Sequence, residues 1–221
     1  MRTHMHREIS AVKKRIITLG ASVEKSVEFS FQALKNMDSK MADIVINQDE
    51  NINQEEVLIE EECLKILALY QPVATDLRTL VAILKINNDL ERMGDLACNV
   101  AVNCKKIALM ASIKIPTEFE EMYKAVLEMT RDCIDCFLDQ DIDKAIAVCK
   151  ADEKVDEFHR QIIADVTDRL KSGEESIDAL LYLISISRCV ERIGDYATNI
   201  GEDVYYLITG EIIRHNDAIY Q

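Results

Sequence analysis

Two segments of this chain could do chemistry through their acids: Glu91-Arg-Met-Gly-Asp95-Leu-Ala-Cys-Asn99 and Glu191-Arg-Ile-Gly-Asp195-Tyr-Ala-Thr-Asn199. They stand one hundred residues apart and agree at six of nine positions. On a helix, Glu91 and Asp95 share a face, as do Glu191 and Asp195, with Asn99 and Asn199 one turn further on. Like charges at this spacing repel by about a few tenths of a kcal/mol. A chain that writes the arrangement twice is suited to binding a cation through oxygen.

A second pair of motifs precedes these: Asp49-x-x-x-Asn53 and Asp152-x-x-x-Asp156. If each lies on a helix that runs antiparallel to the helix of the signature, residues at one level average to the residue at the turn. Asp49 with Asp95 and Asn53 with Glu91 centre on Pro72, while Asp152 with Asp195 and Asp156 with Glu191 centre on Gly173. Both centres are independent breaker positions. The expected metal ligands are Asp49, Asn53, Glu91, Asp95 and Asn99 in the first unit. In the second they are Asp152, Asp156, Glu191, Asp195 and Asn199. Glu56, Asn87 and Asn88 border the first set. Hard oxygen donors of this kind suit divalent or trivalent ions. A solvated acidic face is the bland alternative for any one of these motifs.

Gly94 and Gly194 each cost a helix interior about 1 kcal/mol relative to Ala, and so make room for a bound ion or for a closely packed helix. Arg92 and Arg192 read as ion-pairing residues. His159, three residues after Asp156, could add a nitrogen ligand or be a lone surface histidine. Cys98 and Cys189 read as packing residues.

Six long segments must position these groups. Apolar steps of three and four predict helices over about Arg7–Asn36, Lys40–Leu69, Thr75 or Asp76 to Met110, Thr117–Leu138, from the turn at 139–141 to Leu170, and Ser176–Thr209. Breakers stand at Asp38-Ser39, Pro72, Pro116, Asp139-Gln140-Asp141, Gly173 and Gly210. The first halves of the repeat match at an offset of 103 residues and the signatures at 100, so the second unit's inter-helix turn is three residues shorter. The expectation is an all-α protein of two tandem three-helix bundles, residues 1–114 and 115–221.

Composition agrees. Among 221 residues there are six Gly, two Pro and no Trp, with 48% hydrophobic residues, which favours helices with a sizeable core. A net charge of −14 argues against nucleic acid and favours cations or basic protein surfaces. No apolar run approaches the roughly 18 residues of a membrane span, and the first residues lack a signal-peptide core. The seven Cys fall mostly within apolar helical patterns as reduced core residues; Cys133-x-x-Cys136 sits in mid-helix without a second pair, which argues against a zinc site. The chain reads as cytoplasmic.

The paired ERMGD and ERIGD, the QPVATDLR turn at 71–78, DENIN at 49–53 and DEKVD at 152–156 together resemble the PhoU family. The resemblance covers nearly the whole chain. It implies two PhoU bundles with acidic E(D)xxxD motifs associated with multinuclear iron, zinc, manganese or magnesium being the other candidates. It also implies a non-enzymatic negative regulator of phosphate-starvation signalling, peripheral to the membrane at most. Such a regulator links the ATPase subunit of the phosphate ABC importer to a sensor histidine kinase, and a homodimer is expected. Asn53 departs from the acid that the repeat would place there. The alternative function is a carboxylate-bridged multinuclear metalloenzyme or metal store, against which stands the lack of any Glu-x-x-His.

Overall fold

The computed structural model of the protein describes residues 2–110 and 113–211; the outer ends of the two units, at residues 1 and 221, lie outside them. Six helices follow one another: α1 Arg2–Asn36, α2 Ser39–Tyr70, α3 Ala74–Ala108, α4 Glu118–Asp139, α5 Ile142–Ser172 and α6 Ile177–Thr209. No strand occurs among the described residues. The all-α expectation, with six long helices in two sets of three, is met.

The helix ends follow from local chemistry. Asp38 and Asp141 accept hydrogen bonds from the first free N–H groups of α2 and α5, and Ser176 does the same for α6. Gly173 and Gly210 take the left-handed conformation that stops α5 and α6. Gln71 and Gln140 adopt it too, at φ 47° and 53°, in the place where glycine is usual.

Two boundaries differ from the sequence reading. Helix α1 starts five residues before Arg7, because Met5 and Ile9 extend the buried stripe of Val12, Ile16 and Leu19 by two turns. Thr75 and Asp76 do not cap α3. The chain re-enters the helix at Ala74, and Val73 flanks it with no side-chain cap. Asp76 then lies in the first turn, where its charge faces the positive end of the helix dipole.

Within each unit, helices two and three run antiparallel in the register expected. Asn87 bonds Glu56 across α2 and α3, and His159 bonds Ser187 across α5 and α6. Helices α3 and α6 then pack antiparallel to each other along the centre of the molecule. Lys85 Nζ meets Asp203 Oδ1 at 2.7 Å, Asn103 Nδ2 donates to Ser185 Oγ at 3.1 Å, and the Lys106 ammonium stands over the Tyr182 ring. These contacts share one register, which sets Gly94 and Gly194 at one level. Helix α1 lies on α4, where Phe31 stacks on Tyr123 with ring centroids 4.5 Å apart. Apolar residues of all six helices form one continuous core. All seven cysteines are free, and the thiols of Cys133 and Cys136 donate to helix carbonyls one turn back.

Gly201 marks a close approach of α5 and α6: a Cβ there would stand 3.0 Å from the Ala145 carbonyl oxygen and 3.2 Å from Cys149 Sγ. Backbone cannot swing aside as a side chain can. Gly201→Ala should therefore destabilise by about 1–3 kcal/mol despite its better helix propensity. Thermal unfolding of the variant checks this; a Gly201→Ala melting point equal to or above that of wild type would refute it.

Candidate metal centres

In the second unit, α5 and α6 bring Asp152, Asp156, Glu191 and Asp195 together. Asp152 projects across the helix interface at the place where Gly194 lacks a side chain, its Oδ1 lying 3.1 Å from where a Cβ would stand. That oxygen is buried and has no hydrogen-bond partner. Burial first, then the charges of Asp195, Asp156 and Glu191, push the Asp152 carboxyl up to about 7. Glu191 is raised by burial and then by Asp195 and Asp156. Asp195 is the outermost of the group; partial desolvation, then Asp156, raises it as well. The glycine thus does what a close helix contact requires, and the group it admits is an acid.

The first unit repeats the plan with different neighbours. Gly94 faces the Ile52 side chain, with Cγ2 and Cδ1 each 3.1 Å from a notional Cβ, so here the glycine serves helix packing. Asp49 Oδ1 and Asn53 Oδ1 are both buried without partners, while Asn53 Nδ2 reaches Asp49 Oδ2 at 3.5 Å. Burial, then Asp95, raises the Asp49 carboxyl. Glu91 is raised by burial and then Asp95, with Glu56 and Asp49 adding to it and Arg92 opposing. Glu56 itself is raised by burial. Arg92 contacts Glu91 at 3.4 Å and Asp95 at 3.5 Å, as an ion-pairing residue should, whereas Arg192 lies on the Tyr196 ring instead.

Asn99 and Asn199 are not gathered into these groups. Asn99 is exposed, and Asn199 lines the groove between α3 and α6 with Lys85, Asn88, Asp89, Glu202 and Asp203. The reason is helical drift: two steps of four residues rotate the face by about 80°, toward the neighbouring unit. Asn87 is fully buried and donates to both Glu56 O and Oε1, at 2.9 and 3.1 Å. His159 is half-buried rather than a free surface histidine; burial lowers its pKa, and Nδ1 stands 2.7 Å from the buried Ser187 hydroxyl. The sequence offered no sign of Ser187.

The donor chemistry fits a hard cation in both units. Each holds buried oxygens that lack partners, among carboxylates that raise one another's pKa. Among the described residues, no three His, Cys, Asp or Glu side chains converge closely enough to hold one ion as they stand. Carboxylates without a cation between them repel, so this splaying is their physical default.

The family model described as the PhoU domain matches twice, over residues 16–103 and 119–204. The chain is 32% identical over 212 residues to the phosphate-specific transport system accessory protein PhoU homolog 1 of Thermotoga maritima, covering 96% of this chain and 91% of that protein. It is 31% identical over 208 residues to the phosphate-specific transport system accessory protein PhoU of Escherichia coli, covering 94% and 86%. The crystal structure of PhoU from Pseudomonas aeruginosa superposes with a TM-score of 0.90 at 34% identity, covering 93% of this chain and 99% of that one.

The raised Asp152 carboxyl sets a pH dependence. Its native pKa lies above its ordinary value of 3.8, so the native state binds the proton more tightly than the unfolded state. The stability this contributes is present in full below the ordinary value, falls as pH rises, and is gone above about 7. In metal-free protein, Asp152→Asn should therefore gain on wild type between about pH 5 and about pH 7 and level off above that. Denaturant unfolding across the range measures it; a difference that does not vary with pH would refute the assignment.

Proposed function

This chain belongs to the PhoU family, and on that premise we propose that it is a metal-binding accessory regulator of phosphate uptake. Its relatives are named as accessory proteins of the phosphate-specific transport system. The finer reading is a non-enzymatic negative regulator in the cytoplasm. As a homodimer it docks on the ATPase subunit of the phosphate importer and on a sensor histidine kinase. No helix is long and apolar enough to cross a membrane among the described residues, which suits a peripheral partner.

The observation that carries the metal part is the acid group built twice around buried, partnerless carboxylate oxygens. Asp152, Asp156, Glu191 and Asp195 hold the ion in the second unit, and Asp49, Asn53, Glu91 and Asp95 do so in the first. The bound cation supplies the positive charge that the groups lack. The protein's own part is to align the acids across two helices and to shield them on the core side. Neither unit carries the Glu-x-x-His pair of di-iron oxidation centres: the matching stretches are Asn53-x-x-Glu56 and Asp156-x-x-His159. The acids thus serve to bind rather than to catalyse.

Deleting the protein, with any second copy removed, should leave phosphate-starvation genes expressed in rich phosphate. A reporter that still shuts off normally would sink the regulatory reading.

The metal part is tested on the purified chain. Glu191→Gln with Asp195→Asn preserves shape and removes two charges, so metal content should fall at the second unit. The metal-free variant should be at least as stable as metal-free wild type, because repulsion is relieved. Metal at 100 times its dissociation constant should add about 2.7 kcal/mol to wild type. Elemental analysis and calorimetric unfolding decide; unchanged metal content, or a wild type indifferent to metal, means a solvated acidic face.

A further inference from the structure

The last helix of each unit leaves an apolar row in water near its start. In α3 the row is Val73, Leu77 and Val81, spaced by four and 74%, 40% and 36% exposed, with the half-buried Leu84 after them. The counterparts of Leu77, Val81 and Leu84, one hundred residues on in α6, are again apolar. Ile177 and Leu181 are exposed, and Ile184 is half-buried. One exposed apolar residue needs no explanation, but a row kept in both copies of a duplicated unit marks a contact surface.

The two rows have surroundings of unlike charge. Val81 and Leu84 wall the groove between α3 and α6, which also holds Lys85, Asp89, Glu202 and Asp203. That is three carboxylates against one ammonium, a formal charge of −2, and the ammonium is engaged by Asp203 at 2.7 Å. The counterparts of these four charged residues are Ser185, Cys189, Val102 and Asn103, none of them charged, and Arg188 stands where the first end has Asn88. The groove's volume of about 640 Å³ is that of a binding cleft.

An apolar row that leads into an acidic groove is complementary to a helix with apolar residues at steps of three and four and Lys or Arg beside them. The groove lies between two helices, and no strand occurs among the described residues, so an extended peptide finds no edge to pair with. Between Val73 and Lys85, α3 rises by about 18 Å, about three turns of a partner helix. A second copy of this chain suits the face poorly: each copy carries −14, and two such acidic ends set together repel.

We propose that Val73, Leu77 and Val81, with the acidic groove beside them, form the docking face for a basic amphipathic helix of a protein partner. This rests on the accessory-regulator reading above and assigns its docking to one end of the α3–α6 seam. The row supplies contact area, and Asp89 and Glu202 supply the sign of charge that turns an acidic helix away. The row at Ile177 and Leu181 has the apolar part without the acids, and so does not take the same helix.

The test uses the full chain and two labelled peptides of about 18 residues, long enough to hold a helix. One is patterned from leucine and lysine as an amphipathic helix; the other has glutamate for lysine. By fluorescence anisotropy, wild type should bind the lysine peptide and not the glutamate one. Leu77→Gln with Val81→Gln should weaken binding by at least about tenfold, and Glu202→Gln by about threefold. Ile177→Gln with Leu181→Gln should change it by less than about twofold, since that row lacks the acids. Circular dichroism confirms that each variant is folded. A wild type that binds neither peptide, or both alike, overturns the proposal, as does equal loss from the two double variants or loss from neither. A wild-type dimer that Leu77→Gln with Val81→Gln breaks would put a second copy on this face and overturn it too. The purified ATPase subunit of the phosphate importer separates the two readings. If it binds wild type and Leu77→Gln with Val81→Gln alike, this face is overturned and the accessory reading stands. If it does not bind wild type, that docking reading fails, and the peptides decide the face alone.

Discussion

The register between the second and third helices of each unit is the constraint on which everything else depends. Two helices antiparallel about a fixed turn have no freedom to choose which residues meet. Placing the turns at Pro72 and Gly173 makes Asp49 level with Asp95 and Asp152 level with Asp195. A slip of one helical turn would part Asp152 from the gap at Gly194 and move Ala145 off Gly201. The acids are therefore held by apolar packing on the core side, by Val148, Val155 and Ile162 of α5 and by Val190, Ile193 and Ala197 of α6. The continuous core offsets their repulsion.

That division of labour explains why the polar groups sit as they do. A carboxylate buried without a partner is among the more costly features a helix interface can contain. Asp152 tolerates it by holding its proton toward neutral pH, and Asp49 by leaning on the Asn53 amide. Both are local remedies for a deficit of positive charge. Two arginines lie nearby, yet Arg92 stays at the rim and Arg192 rests on Tyr196. An interface left short of cations in this way keeps its acids partly protonated instead.

Much of this was legible before any coordinates. Six helices and the hairpin register follow from apolar spacing, from the breakers and from the doubled signature. What escaped did so for identifiable reasons. Asn99 and Asn199 obey the four-residue step, but a helix turns in 3.6 residues, and two such steps carry a side chain to another face. Ser187 is a small polar residue in an apolar run, and only the packed structure shows that it holds His159. The start of α3 differs because Thr75 and Asp76 look like caps, whereas the backbone turns through a left-handed Gln71 and a left-handed Ala74, φ 47° and 49°, and the helix counts from Ala74. Gly94 and Gly194, alike in sequence, meet an isoleucine in one unit and an aspartate in the other.

The seam between α3 and α6 carries a consequence of its own. Lys85 meets Asp203, and the residues one hundred positions away from each, Ser185 and Asn103, meet as well. A surface in which i touches j while the counterpart of i touches the counterpart of j is what two identical subunits form around a twofold axis. Here that axis runs through a single chain. In a true symmetric pair, every substitution appears twice and the two sites must remain copies of each other. Joined covalently, the halves are released from that bookkeeping: one crossing has become an ion pair and the other a neutral hydrogen bond, Asp156 stands where the other unit has Asn53, and His159 stands where it has Glu56. Fusion keeps the geometry of symmetry while allowing the chemistry of its two halves to diverge.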